Sequence, residues 1–163
     1  MDVEATAGSE FTIKPIGIVH SPFTERKGTP IQPAFDQGTE ATLEVFEEYA
    51  DGLKDLEGFS HIYVIYIFNR ADGYQLQCVP YRDTEARGVF ACRAPKRPNQ
   101  LGLSVVRLAE RDGRMLTIAD IDILDGTPVV DIKPYVPKFD AREDVRCGWL
   151  DQSDDVRHAD ERF

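Results

Sequence analysis

Ala41-Thr-Leu-Glu-Val places Ala41, Leu43 and Val45 on one face of an extended chain and the polar residues on the other. A helix returns to the same face only about every 3.6 residues, so a period of two commits such a segment to a strand. The style recurs along the chain. Phe11-Thr-Ile-Lys alternates, and Ile16-Gly-Ile-Val continues extended. Ile62-Tyr-Val-Ile-Tyr-Ile-Phe is β-branched and aromatic throughout, which predicts a strand covered on both faces. Gly88-Val-Phe-Ala-Cys and Ser104-Val-Val-Arg-Leu predict two more. Met115 to Leu124 alternates again, with Thr117, Ala119, Ile121 and Ile123 on one face and Asp120 and Asp122 on the other. Val129-Val-Asp-Ile-Lys predicts the last strand, and Arg111-Asp-Gly-Arg supplies a hairpin turn before Met115.

Helical patterning is thin. Glu47 to Glu57 sets Leu53 and Leu56 three apart, with Gly58 as its cap, and a second short helix is predicted from Pro137 through Phe139 to Val145. Short strands separated by turn residues predict a mostly β fold with a few short helices, either a small closed antiparallel barrel or a sandwich. No GxGxxG and no GxxxxGK[ST] is present, so a nucleotide-like cofactor needs a pocket of another kind.

The 163 residues suit one domain with its own core. Residues 1–10 hold three acids and no base, and residues 151–163 hold five acids and two bases. Both ends lack hydrophobic periodicity and are expected to be mobile tails around a domain at 11–150. A net charge of −10 argues against broad, non-specific nucleic-acid binding. The longest apolar run, Ile62 to Phe68, is far short of the ~20 residues that span a bilayer, and the acidic N-terminus does not fit a targeting peptide. Cys78, Cys92 and Cys147 form no CxxC pair and His20, His61 and His158 no ligand spacing. The expectation is therefore no metal, a reducing compartment, the cytoplasm, and cysteines buried as small hydrophobes.

Three loops are unusually rich in special residues. Gly88 to Gly102 carries Pro95 and Pro98, which stiffen it, and Arg93, Lys96 and Arg97, the densest positive cluster in the chain. A stiff loop loses little entropy on binding, and guanidinium forks suit carboxylate or phosphate. The plainer reading is a rigid turn whose arginines pair with surface acids. Asp125 to Pro137 opens with Asp-Gly, a common hairpin pair, yet Thr127 before Pro128 forces an extended departure. There the Asp125 carboxylate is placed to receive hydroxyls or an amine, and Tyr135 is held between prolines. Gly28-Thr-Pro-Ile-Gln-Pro33 is a third, proline-bracketed loop. His61 is read as bonding a backbone group, Tyr63, Tyr66 and Phe68 as core or dimer interface, and Trp149 as an anchor for the C-terminal end.

These segments carry a family likeness. Ile16-Gly-Ile-Val-His-Ser-Pro, Gly58-Phe-Ser-His-Ile, Gly88-Val-Phe-Ala-Cys-Arg, Arg97-Pro-Asn with Gly102, and Asp125-Gly-Thr-Pro-Val-Val-Asp-Ile-Lys-Pro-Tyr resemble the TsaA-like family, also known as TrmO, from about Phe11 to Leu150. The resemblance implies a small closed β-barrel, usually a homodimer with the cofactor pocket near the subunit interface. It implies S-adenosyl-L-methionine as cofactor and tRNA as substrate, methylated on the exocyclic nitrogen of threonylcarbamoyladenosine beside the anticodon. It places cofactor contacts at Ile31, Gln32, Pro33, Asn69, Arg70, Arg93, Leu103, Asp125, Gly126, Thr127 and Pro128. Lys96, Arg97 and Asn99 are the expected substrate contacts, with Arg97 reading the threonyl carboxylate or a nearby phosphate. Ile31 stands where the family usually has arginine, Asn69 and Arg70 where a histidine follows the strand, and Gln100 where proline follows Arg97-Pro-Asn. The chain also lacks the extra C-terminal region of longer members.

The acceptor nitrogen is a poor nucleophile while it keeps its proton, so a base helps. Tyr135 and Asp131 are candidates by their closeness to Asp125 in sequence, and proton loss directly to water is equally open. Two other functions fit the same residues: methyl transfer to another small or nucleotide-like acceptor, and cofactor binding without turnover.

Overall fold

The structure is a computed structural model and describes residues 5–163. Eight strands follow in chain order: β1 Gly17–His20, β2 Glu40–Val45, β3 His61–Ile67, β4 Gln77–Cys78, β5 Arg87–Gly88, β6 Leu101–Asp112, β7 Met115–Ala119 and β8 Thr127–Pro134. Six of them close an antiparallel barrel in the order β1-β2-β7-β6-β3-β8, and β4 and β5 form a separate two-stranded ribbon. The barrel rather than the sandwich is therefore the architecture. No helix among the described residues is long and apolar enough to cross a membrane.

The alternation seen in Ala41, Leu43 and Val45 fills the interior. These side chains join Val19, Ile62, Val64, Val106, Leu116, Ile118 and Val129 in one core. β3 differs from expectation, because only Ile62, Val64 and Tyr66 are buried and Tyr63, Ile65 and Ile67 are half-exposed. A closed barrel offers full burial on its inner face alone.

The segment from Met115 departs in phase. Leu116 and Ile118 point inward, not Thr117, and the strand stops at Ala119. Asp120 then takes a left-handed conformation with φ 58°, flanked by buried Ala119 and Ile121, with Ile123 buried beyond. Ala119, Ile121 and Ile123 are therefore buried as the alternation predicts, and Thr117 is the one of the four that is not.

Several predicted elements are shorter or absent. Phe11 to Lys14 forms no strand, and Phe11 and Ile13 are exposed. Gly88 to Cys92 keeps only Arg87–Gly88 as strand and then makes a 3₁₀ turn at Val89–Ala91 that buries Val89 and exposes Phe90. Glu47 to Gly58 is two 3₁₀ helices, Glu47–Leu53 and Leu56–Gly58, broken at Asp55 with φ 69°. The spacing of three between Leu53 and Leu56 suits three residues per turn. The helix after Pro137 is the single turn α1, Pro137–Asp140.

Of the N-terminal ten residues expected to be mobile, the first four lie outside the described residues. The segment expected to be a mobile C-terminal tail makes defined contacts with the Gly28–Pro33 loop. The Gly28 N–H donates to the Ala159 carbonyl at 2.9 Å, Ile31 N–H to Arg157 at 3.0 Å, and Ala159 N–H to Thr29 at 2.8 Å. Trp149 Nε1 donates to the Ala91 carbonyl at 2.8 Å, tying the chain's end to the turn after β5. Cys78 is buried as expected, but Cys92 is half-buried and Cys147 exposed. The Cys78 and Cys92 sulfurs lie 3.3 Å apart.

Candidate functional site

A cavity of about 890 Å³ lies at the end of the barrel where β1 and β3 finish and β6 and β8 begin. That volume is in the range of cofactor and substrate sites. Its walls are aromatic and aliphatic, with Phe35, Phe68, Tyr81, Phe90, Leu103 and Trp149 among them. Its charges run opposite to those of the chain. Arg26, Arg82, Arg93 and Arg97 line it, and Asp122 is the one carboxylate side chain among the described lining residues. A cationic cavity in an acidic protein favours an anionic guest. The Tyr81 hydroxyl is buried in the cavity wall, with the Arg26 guanidinium as its nearest charged neighbour.

Asp122 is the centre of a polar chain. The Ser104 hydroxyl donates to Asp122 Oδ1 at 2.6 Å, and the Tyr66 hydroxyl lies 3.1 Å from Ser104 Oγ. Burial pushes the Asp122 carboxyl up to about 7, against the opposing pull of the Ser104 hydrogen bond and the Arg93 and Arg26 charges. Burial likewise raises Tyr66, which stays protonated. Its ring packs on Gly102, the residue opposite it across the β3–β6 ladder. A small recess lined by Asn69, Arg70 and Thr127 opens beside the cavity and shares Arg26, Tyr66, Phe68, Asp122 and Leu124 with it.

The expected site residues divide accordingly. Ile31, Gln32, Arg93, Leu103, Arg97 and Asn99 line the cavity, and Asn69, Arg70 and Thr127 line the recess. Arg93 Nη1 donates to Gln32 Oε1 at 2.6 Å, joining the proline-rich loop to the Gly28–Pro33 loop. Arg97 Nη1 donates to the carbonyls of Cys92 at 3.0 Å and Ala94 at 3.3 Å, so part of its guanidinium braces its own loop. Arg70 acts as a clamp, donating to the Thr24 carbonyl and to the Asp125 carbonyl at 2.6 Å each. Asp125 Oδ1 accepts from the Ser21 N–H at 3.0 Å, which fixes the turn Asp125-Gly-Thr-Pro against the end of β1. Pro33, Lys96, Asp125, Gly126 and Pro128 line neither space.

The two candidate bases lie elsewhere. Asp131 accepts from Lys133 Nζ at 2.8 Å and from the Ile132 N–H at 2.9 Å. Tyr135 packs edge-on against Tyr63, and its N–H donates to the carbonyl of His61, where β3 begins. Neither reaches the cavity. The His61 ring meets the Ser60 hydroxyl at 2.9 Å rather than a backbone group. Sequence reasoning missed Arg26, Tyr81 and Asp122 as cavity residues, and Ser104 as the buried partner of Asp122. The alternation had set Asp122 on a polar face, which is the only signal that could have found it.

Comparison with known proteins decides the family. The family described as the tRNA-methyltransferase O N-terminal domain matches residues 18–141. The chain belongs to this TrmO family. A "Probable S-adenosyl-L-methionine-binding protein" of Pyrococcus abyssi is 59% identical over 140 residues, which cover 86% of this chain and 76% of that one. The tRNA (adenine(37)-N6)-methyltransferase of Escherichia coli is 34% identical over 151 residues, covering 86% of this chain and 64% of the enzyme. The crystal structure of TrmO from Pseudomonas aeruginosa superposes with a TM-score of 0.73 at 39% identity, covering 86% of this chain and 62% of that one. The chain thus spans under two thirds of the latter two proteins. The TrmO-like barrel agrees with the six-stranded closure, and no metal-binding cluster occurs among the described residues.

Proposed function

We propose that this protein is an S-adenosyl-L-methionine-dependent methyltransferase acting on tRNA, with the exocyclic nitrogen of threonylcarbamoyladenosine beside the anticodon as the acceptor. The observation that carries this reading is the cavity itself: aromatic walls, four arginines and one carboxylate in a chain of net charge −10. Aromatic faces suit a purine, and guanidinium groups suit a threonyl carboxylate or a phosphate. The family membership and the names of the relatives support the cofactor and the tRNA.

Within this reading Gln32, Arg93 and Leu103 hold the cofactor in the large cavity, with Asn69, Arg70 and Thr127 around the small recess at its edge. The bound cofactor supplies an electrophilic methyl group on sulfonium sulfur and leaves as the neutral thioether. Arg70 and Asp125 keep the recess in shape from behind, through the Thr24, Asp125 and Ser21 backbone. Arg97 and Asn99 face the acceptor, and Lys96 serves at the outer rim of the loop. The exposed Phe90 and Leu103 beside the cavity belong to a contact with a second copy of the chain, and the enzyme works in the cytoplasm.

The same cavity favours one second reading. Ile31 lines it where the family usually carries arginine, and an apolar wall there suits a different small or nucleotide-like acceptor. Labelled methyl transfer from S-adenosyl-L-methionine separates the two. Incorporation into bulk tRNA supports the first reading, and incorporation only into small-molecule extract supports the second. Saturable cofactor binding with no transfer to either would leave a binding module.

A further inference from the structure

The cavity holds one carboxylate side chain among its described lining residues, and its position is specific. Asp122 lies on the boundary shared by the large cavity and the recess of Asn69, Arg70 and Thr127. The recess, about 20 Å³, is too small for a cofactor, so cofactor and acceptor both enter the large cavity, and Asp122 forms part of its wall. Only its Oδ1 is engaged, by the Ser104 hydroxyl, and no other side chain among the described residues donates to it.

We propose that Asp122 is the general base of this methyltransferase, with Ser104, Tyr66 and Gly102 as the residues that position it; the proposal rests on the methyltransferase reading above. The proton leaves the acceptor nitrogen for a carboxylate oxygen of Asp122. The electron pair it leaves behind forms the new nitrogen–carbon bond, and the carbon–sulfur pair stays with the departing thioether. The Ser104 hydroxyl points its proton at Oδ1, so it orients the carboxylate and leaves Oδ2 to receive the proton. Tyr66 holds the Ser104 hydroxyl from behind, and Gly102 makes room for the Tyr66 ring.

The groups facing Asp122 suit this task. Ser104 from β6 and Tyr66 from β3 are neutral, and the charges nearest it are those of Arg93 and Arg26. Burial discourages its ionisation and the two arginines restore it, which keeps the carboxylate basic enough to take a proton yet ionised near neutral pH. A fully solvated carboxylate is a much weaker base at that pH. Asp122 lies two residues beyond the left-handed Asp120, between the buried Ile121 and Ile123.

The test compares wild type with Asp122→Asn, which keeps the side chain's size and hydrogen-bonding shape. Three quantities are read: the cofactor dissociation constant by calorimetry, the single-turnover rate on saturating tRNA between pH 5 and 9, and the thermal midpoint. The proposal expects cofactor binding within about threefold of wild type, a rate loss of about 10²–10⁴, and disappearance of the rate rise that wild type shows around pH 7. Selective ¹³C labelling of aspartate gives a readout free of turnover: one carboxyl titrating near pH 7 in wild type and missing in Asp122→Asn. Ser104→Ala should move that midpoint upward, because it removes a donor that favours the ionised form. An Asp122→Asn protein that keeps its rate and pH profile overturns the proposal. So does one whose rate loss is matched by an equal loss of cofactor affinity, which would make Asp122 a cofactor ligand. A wild-type protein that binds cofactor but methylates nothing overturns the methyltransferase reading, and this proposal with it.

Discussion

The Tyr66 ring packs on Gly102 of the neighbouring strand, so close that a Cβ at 102 would overlap its Cε2 and Cζ. Gly102 is therefore required by the aromatic side chain across the ladder and not by its own backbone angles. Gly102→Ala should expel the ring from beneath the cavity and break the Tyr66–Ser104 contact. Overpacking of this kind costs about 1–3 kcal/mol. Thermal unfolding should show a midpoint several degrees lower, and a Tyr66→Ala, Gly102→Ala double variant should lose less than the sum of the singles.

Asp122 makes stability depend on pH in an unusual direction. Its carboxyl is raised from 3.8 to about 7, so the folded protein retains a proton that the unfolded chain gives up. The contribution is complete below about pH 4 and is lost as pH rises through about 7. Asp122→Asn carries no such proton. Its thermal midpoint should exceed that of wild type above pH 7, and the gap should close as the pH falls toward 4. A gap that stays constant across this range would show that Asp122 is solvated like an ordinary carboxylate.

Arg70 ties two loops with one guanidinium, reaching the carbonyls of Thr24 and Asp125. Lysine is a point charge and cannot bridge both in fixed geometry. Arg70→Lys and Arg70→Met should therefore both loosen the recess. Each is expected to cost about 1 kcal/mol, because Arg70 is exposed and water competes for its two hydrogen bonds. Amide exchange at Ser21, Asp125 and Gly126 should quicken in both variants, and an Arg70→Lys protein with native exchange rates would refute the clamp.

The Cys78 and Cys92 sulfurs are 3.3 Å apart, and burial pushes the Cys78 thiol up to about 12. The pair is near enough to be joined by a mild oxidant such as a small disulfide, yet slow to react because the buried thiol stays protonated. Peptide mapping after prolonged oxidation should show Cys78 joined to Cys92, formed more slowly than the mixed disulfide at the exposed Cys147. A Cys78–Cys92 link that never forms, or forms before Cys147 reacts, would contradict this.

The sequence made the barrel legible where alternation was unbroken. Ala41, Leu43 and Val45 faced inward as their spacing requires, and the Asp-Gly turn at Asp125 and the proline-rich loop after Gly88 were marked by backbone-restricting residues. Alternation failed at Thr117, which is half-exposed between the buried Leu116 and Ile118. It failed again at Val89-Phe-Ala, where an apolar run curls into a 3₁₀ turn. The roles at the site were less legible still. Asp122 depends on Ser104 and Tyr66, which lie 18 and 38 positions from their partners in this chain of contacts, and no local pattern reports such pairing. Sequence cannot show that one nitrogen of the Arg97 fork is held by the carbonyls of its own loop.

The most direct measurement is nucleoside analysis by mass spectrometry of tRNA incubated with this protein and isotopically labelled S-adenosyl-L-methionine. The tRNA should carry threonylcarbamoyladenosine and lack the N-methyl group. Label on the exocyclic nitrogen of that one nucleoside, absent without the protein and sharply reduced with Asp122→Asn, is the predicted result. Label in a different nucleoside, or none in any while the cofactor binds, would contradict it.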